Sequence, residues 1–140
     1  MKEASMNSNA IKDKLLYITA IGISICFLIF FIGCTWIGFE IKTLCQNAKW
    51  EYSGDCVEAL AMQLEDEHQG FRTRNHAIWA LGQLGNTRSF PVLQKYYTGT
   101  IPDREPLDKT ISQYELKKAV NLTNGGFNIS AFIWRSIIRE

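Results

Sequence analysis

Cysteine is the residue type whose placement in this sequence suggests a specific chemistry. Cys45 and Cys56 lie eleven positions apart and both follow a long apolar segment, so they share one compartment. In an oxidising compartment these thiols would form a persistent disulfide, closing a loop of about ten residues and adding roughly 2–3 kcal/mol of stability. The alternative is two free thiols in a cytoplasmic domain. Cys26 and Cys34 lie within the apolar segment, away from ordinary redox chemistry.

Histidines and carboxylates, the usual groups of catalytic and metal sites, are scattered. His68 and His76 lie on different predicted elements without the ligand spacing of a zinc site, and we interpret both as exposed. The acidic run at 65–67 could bind a cation, although a solvated helix end explains it more simply. No Ser-His-Asp pattern, phosphate loop or dinucleotide fingerprint can be assembled from the sequence. These observations predict a protein that is not an enzyme and uses no cofactor.

A candidate partner-binding stripe consists of Asn75, Trp79 and Gln83, which fall four residues apart on a predicted helix. At 100° per residue this stripe lies opposite the small apolar face of the same helix. A tryptophan flanked by amides on a second face is typical of a protein-binding patch. In a layered stack of helices the same face would instead pack on the next helix pair, and both alternatives remain open.

The apolar segment covers residues 15–39, which carry no charge and include fourteen Leu, Ile or Phe. About 20 apolar residues cross a bilayer, and these side chains favour insertion by several kcal/mol. We therefore predict a single transmembrane helix. A cleaved secretory signal would have a shorter apolar region, and no small-x-small cleavage site is clear. The residues that end at Cys34 resemble a lipoprotein box, but the apolar run continues past them.

The flanking charges and the cysteines bear on localisation. Before the span lie Lys2, Lys12 and Lys14, whereas the nearest basic residues after it are Lys42 and Lys49. Positive residues stay in the cytoplasm, so this difference favours an N-terminus inside. We expect a single-pass protein of the cell membrane with its C-terminal domain outside the cytoplasm, in the periplasm of a Gram-negative cell.

The rest of the chain divides by composition. Residues 1–14 form a polar tail that we expect to be disordered, residues 40–54 form a connector, and residues 55–140 form one small domain. From residue 40 onwards twelve Lys or Arg balance twelve Asp or Glu, which argues against nucleic acid as the partner.

Helix signals in the domain lie at regular intervals and no long β-alternation is present, so the domain is predicted to be all-α with about five helices. The signals are a capping-box pair Asp55 and Glu58, a C-terminal Gly85, a second capping box at Ser112 and Glu115, and the stop at 124–126. A last amphipathic helix is predicted over 130–139.

Within this domain the stretch Arg74-Asn75-His76-Ala77-Ile78-Trp79-Ala80-Leu81-Gly82-Gln83-Leu84-Gly85-Asn86, followed by Arg88 and Phe90-Pro91-Val92-Leu93, resembles a HEAT repeat of the bilin-lyase-like subclass. The small residues Ala77, Ala80 and Gly82 allow two helices to approach closely. The resemblance covers about 25 residues and implies a short HEAT-like stack of α-hairpins in which flanking helices serve as caps.

The resemblance implies protein binding more often than chemistry, and the arrangement is also similar to bacterial membrane proteins that carry a HEAT-repeat domain. We therefore expect a non-catalytic scaffold or adaptor with a protein partner. Because some relatives of this subclass attach bilin pigments, an accessory role in pigment or ligand attachment is the alternative.

Overall fold

The computed structural model describes the backbone of residues 2–137 and the side chains of residues 11–136. All regular structure in these residues is helical, without a strand. The prediction of an all-α chain with one long N-terminal helix and about five further helices is confirmed. The elements are α1 (Lys2–Glu51), α2 (Cys56–Glu65), α3 (Phe71–Leu84), a 3-10 helix (Thr87–Ser89), α4 (Phe90–Tyr96), α5 (Gln113–Thr123) and α6 (Ile129–Ile137).

The chain forms two compact units, Met1–Trp36 and Ile37–Glu140. The first contains the apolar part of α1, whose most apolar stretch has a mean hydropathy of 2.7 and buries none of its residues within the protein. A helix that leaves a continuous apolar surface uncovered is suited to lipid rather than to water. By length and composition α1 can therefore cross a membrane.

The connector predicted for residues 40–54 is helical as far as Glu51, and the helical domain begins at Ile37 rather than at residue 55. The reason is an apolar stripe with helical spacing, in which Ile41, Cys45 and Ala48 are buried in the domain core. Burial of these three side chains stabilises about three turns of helix in the segment predicted to be a connector.

The polar tail predicted to be disordered is also helical, since α1 begins at Lys2. Nucleation is the unfavourable step in helix formation, and adding residues to an existing helix costs little. The apolar segment supplies the nucleus here, so the tail continues its helix.

Capping bonds define the start of α2. The backbone N–H of Glu58 donates to Oδ1 of Asp55 (3.0 Å), and the N–H of Asp55 donates to Oε2 of Glu58 (3.1 Å). Arg88 pairs with both carboxylates, at 2.5 Å from Asp55 and 3.4 Å from Glu58. This reciprocal pair confirms the capping box predicted from the sequence.

Helix α3 lies at the centre of the domain and packs most extensively on α5 and α2. Its small residues Ala77 and Ala80 are fully buried. A Cβ atom added to Gly82 would lie 2.8 Å from the Cα atom of Ala119, closer than real Cβ contacts. The small residues of α3 therefore permit the close approach that the sequence predicted, and the helix that approaches Gly82 is α5.

The predicted helix ends agree with the structure. Gly85 has a φ of 59° and donates its N–H to the carbonyl of Leu81 (3.0 Å), so α3 ends in a left-handed cap. Pro91 lies in the first turn of α4, where a missing N–H costs little. Helix α6 covers Ile129–Ile137, and the rest of the helix predicted over 130–139 lies outside the described residues.

Candidate partner-binding site

The disulfide predicted between Cys45 and Cys56 is present and joins the end of α1 to the first turn of α2. The two Cα atoms are 5.0 Å apart, and both side chains are buried. The bridge therefore fixes the direction in which the chain turns from the last part of α1 into α2.

Polar contacts around Tyr52 reinforce this junction. The Tyr52 hydroxyl donates to Oδ2 of Asp66 (2.7 Å), and Gln69 donates to both the Tyr52 oxygen (3.2 Å) and Glu51 (2.9 Å). Hydrogen bonds from the Tyr52 hydroxyl and the His68 backbone N–H hold the pKa of Asp66 below its ordinary value. Desolvation and the bond to Asp66 raise the pKa of Tyr52. These contacts link the end of α1 to the turn after α2.

Two of the three carboxylates in the acidic run that could have bound a cation form contacts within the protein. Glu65 pairs with Lys95 (2.9 Å), and Asp66 accepts from Tyr52 and His68. The side chain of His68 is almost fully exposed, and His76 is exposed on α3. No group of three or more potential metal ligands occurs among the described residues.

The predicted stripe on α3 contacts other parts of the domain. Asn75 is only 6% exposed, Trp79 is partly buried against the core, and Oε1 of Gln83 accepts a hydrogen bond from Asn128 (2.9 Å). The backbone carbonyl of Gln83 also accepts from Arg135. Asn75 and Gln83 therefore form hydrogen bonds within the domain. That the stripe binds a partner protein stays a prediction.

Asn75 holds the long loop between α4 and α5 in place. Its Nδ2 donates to the carbonyls of Leu107 (3.1 Å) and Thr110 (2.9 Å), and its Oδ1 accepts from the backbone N–H of Ser112 (2.8 Å). All three hydrogen bonds join the Asn75 side chain to backbone atoms of the loop. One buried amide thus fixes the last part of a loop with little secondary structure of its own.

Glu105, within the same loop, joins it to the start of α5. Its carboxylate accepts hydrogen bonds from the Ser112 hydroxyl (2.7 Å) and from the backbone N–H groups of Gln113 (2.6 Å) and Tyr114 (3.3 Å). A negative charge at the N-terminus of α5 interacts favourably with the helix dipole and with the free N–H groups of the first turn. The loop and α5 are consequently joined as one ordered surface.

An open groove of about 340 Å³ lies between this loop and the start of α5. Ile101, Leu107 and Tyr114 contribute exposed apolar surface to it, and Lys118 lies 5.1 Å from the centre of the Tyr114 ring. We call it the α5 groove. It is lined by Ile101, Pro102, Asp103, Glu105, Leu107, Ser112, Tyr114 and Glu115.

Two residues that shape this region carry no local sequence signal for their role. The hydrogen-bond partners of Glu105 lie seven to nine positions away, beyond any local motif. Arg74 is part of the HEAT-like stretch, which gives it no contact of its own. It is 7% exposed and donates from Nε to the carbonyl of Leu64 (2.8 Å), and its guanidinium carbon lies 5.6 Å from the centre of the Tyr96 ring. A cation at the C-terminal end of α2 stabilises the helix dipole, so Arg74 has a structural role.

No protein-family model, no curated protein and no solved structure matches this chain.

Proposed function

We propose that this chain is a single-pass membrane protein whose HEAT-like helical domain binds another protein as a non-catalytic adaptor. The observation that carries the proposal is the α5 groove, where exposed Ile101 and Leu107 lie on a loop fixed by Asn75 and Glu105. Exposed Tyr114 faces them from the first turn of α5. Exposed apolar side chains on an ordered loop lose little conformational freedom on binding, which favours affinity.

The charges of the groove define the chemistry of its partner. The groove is lined by three carboxylates, those of Asp103, Glu105 and Glu115. The Nζ atom of Lys118 lies 3.1 Å from Oε1 of Glu115 and neutralises that charge. Asp103 and Glu105 remain without an ion pair among the described residues. We infer that the groove takes a protein segment with one apolar side chain next to a Lys or Arg.

Copurification from detergent extract tests this adaptor function when it is combined with groove variants. Leu107→Asp with Tyr114→Ala removes apolar surface, and Met62→Asp places the same charge on an exposed position of α2. We expect one stoichiometric protein partner with the wild type and with Met62→Asp, and its loss with the groove variant at unchanged melting temperature. A partner retained by the groove variant contradicts the site, and a bound chromophore supports the pigment-attachment alternative.

For localisation we propose the cell membrane, with the helical domain outside the cytoplasm. Three lysines precede the span and only Lys42 and Lys49 lie near its other end. A disulfide between Cys45 and Cys56 would persist in an oxidising compartment. A C-terminal reporter that is active only in the cytoplasm should be silent, and non-reducing mass spectrometry should find the bridge. An active reporter with both thiols free contradicts this orientation.

A further inference from the structure

The turn between α5 and α6 contains the only asparagine of the sequence that a glycine follows, Asn124 before Gly125. Both residues are exposed, and Asn124 is the C-cap of α5, with φ −96° and ψ 26°. The backbone N–H of Asn124 donates to the carbonyl of Val120 (3.1 Å). Its side-chain amide forms no hydrogen bond within the part of the chain that the structure describes. This carboxamide is therefore open to water and is not held by the domain.

The backbone nitrogen of Gly125 is the nucleophile next to that carboxamide along the chain. Gly125 has a φ of 91°, and among the described residues its N–H has no backbone hydrogen-bond partner. The following N–H, that of Gly126, donates to the carbonyl of Asn121 (2.9 Å). A glycine has no Cβ atom to hinder the approach of its nitrogen to the preceding side chain, and its backbone angles are permissive. Rotation about ψ of Asn124 therefore brings this nitrogen onto Cγ without breaking a hydrogen bond of the Gly125 N–H.

The other asparagines of the domain each lack one of these conditions. Asn47 and Asn121 lie inside helices, where the next backbone N–H is a donor of the helix ladder. Asn75 is buried, and Oδ1 of Asn86 and of Asn128 accepts a backbone hydrogen bond (3.0 and 3.2 Å). In each case the carboxamide or the following nitrogen is already engaged. The structure thus distinguishes the asparagine of the α5–α6 turn from the rest.

From these observations we propose that Asn124 is a site of spontaneous deamidation, with water as the co-substrate. The Gly125 nitrogen loses its proton to solvent base and attacks Cγ of Asn124. The new N–C bond closes a five-membered succinimide, and the side-chain nitrogen leaves as ammonia. Water then adds to one of the two ring carbonyls and opens the ring. Opening at Cγ gives aspartate, and opening at the main-chain carbonyl gives isoaspartate. One water is consumed and one ammonia released, without oxidation or reduction.

The modification changes the turn in two ways. Either product places a new carboxylate at the C-terminal end of α5, where the helix dipole is negative, and so destabilises the last turn. Isoaspartate also lengthens the main chain by one carbon inside the turn that the hydrogen bond from Gly126 to Asn121 closes. Soon after this turn Asn128 caps α6 and donates to Gln83 on α3 (2.9 Å). A longer main chain displaces that cap, so isoaspartate loosens the contact of α6 with α3.

Incubation of the full-length protein in detergent micelles at mildly alkaline pH, followed by peptide mass spectrometry, tests the site. We expect Asn124 to gain the mass of one deamidation several-fold faster than Asn47 or Asn86 in the same sample. Fragmentation of the peptide should find both aspartate and isoaspartate at position 124. The Asn124→Gln variant keeps a carboxamide but would have to close a larger ring, so it is the matched control and should stay unmodified.

Two results of this experiment would overturn the proposal. A deamidation rate at Asn124 no higher than the rates at Asn47 and Asn86 shows that the turn gives no reactive site. Aspartate formed without isoaspartate overturns the attack by the Gly125 nitrogen, because direct hydrolysis of the side-chain amide yields aspartate alone. A rate that is higher at mildly alkaline than at mildly acidic pH supports the attack, since the nucleophile is the deprotonated backbone nitrogen.

Amide hydrogen exchange measures the effect of the modification on the fold. Asn124→Asp introduces the charge alone and should raise exchange in the last turn of α5 roughly two- to fivefold. The isoaspartyl form, isolated from the aged protein by chromatography, should in addition exchange several-fold faster over residues 129–136 than Asn124→Asp does. Equal exchange of α6 in these two forms contradicts the loosening of α6, and it leaves the modification site itself standing.

Discussion

The backbone N–H of Ser112 donates a 2.8 Å hydrogen bond to Oδ1 of Asn75, although the two residues are 37 positions apart. Ser112 is the N-cap of α5, and its own side-chain oxygen accepts from the N–H of Glu115 (3.1 Å). In a complete capping box the glutamate would accept the Ser112 N–H. Here Asn75 accepts that hydrogen bond instead, so α3 anchors both the start of α5 and the groove beside it.

Asn75→Ala should therefore destabilise the domain and loosen the groove. The substitution leaves the buried N–H of Ser112 without an acceptor, which costs about 1–3 kcal/mol. Gln83→Ala, which removes one partly buried bond to Asn128, is the matched control and should cost at most about 1 kcal/mol. Thermal denaturation of both variants and amide exchange at residues 107–112 provide the measurements. Equal losses of stability would show that Asn75 does not anchor the loop.

Gly82→Ala should destabilise the domain even though alanine favours helices by about 1 kcal/mol over glycine. The new methyl group would overlap Ala119, and overpacking of this kind costs about 1–3 kcal/mol. Adding Ala119→Gly removes only the opposing methyl, and it should restore little of the loss because the Cα atom of residue 119 still lies 2.8 Å from the new methyl group. A stabilised Gly82→Ala single variant would contradict the close approach of α3 and α5.

Loss of the disulfide should lower the free energy of unfolding by about 2–3 kcal/mol, because the unfolded chain gains the entropy of an open loop. Cys45→Ala with Cys56→Ala tests this, and both side chains are buried, so small replacements are needed. Wild type treated with a reductant should unfold at the temperature of the double variant. If reduction leaves the melting temperature of the wild type unchanged, the bridge is absent or contributes nothing.

Local contacts account for most of what the sequence predicted correctly. Asp55 and Glu58 lie within one helical turn, and Gly85 adopts its left-handed conformation because of its own backbone freedom. Such signals need no knowledge of the rest of the fold. Cys45 and Cys56 could also be paired from the sequence, since a short segment separates them.

The errors and omissions have longer-range causes. The predicted connector at residues 40–54 is helical as far as Glu51, because Ile41, Cys45 and Ala48 have the spacing of one helix face and are buried in the domain core. The α5 groove depends on bonds from Asn75 and Glu105 to backbone groups far along the chain. No local pattern specifies such partners, because they are set when α3 and α5 pack together.

Asp66 should make stability dependent on acid pH. The pKa of Asp66 is lowered in the folded protein, mainly by the hydrogen bond from the Tyr52 hydroxyl. Ionised Asp66 therefore stabilises the fold at pH values above its unfolded pKa of about 3.9. This stabilisation is lost as the pH falls through the lower pKa of the folded state. Asp66→Asn retains an acceptor without a titrating group and should flatten this part of the curve. Glu67→Gln is the control. Melting temperatures between about pH 2 and pH 7 give the comparison.

Trp79 and Leu81 lie two positions apart on α3 and should respond differently to substitution. Leu81 is fully buried, whereas Trp79 is partly buried at the edge of the core. Leu81→Asp places a carboxylate in an apolar interior, and we expect it to unfold the domain. Trp79→Ala should leave the domain folded with a moderately lower melting temperature.

Circular dichroism during thermal denaturation, together with the copurification assay, separates the two roles of Trp79. Loss of the protein partner from folded Trp79→Ala would support the stripe of Asn75, Trp79 and Gln83 as part of the binding surface. Leu81→Met is the control for position 81, because a substitution that keeps volume and apolarity typically costs less than about 1.5 kcal/mol. If Trp79→Ala and Leu81→Asp lower the melting temperature equally, Trp79 belongs to the core and the stripe loses its aromatic anchor.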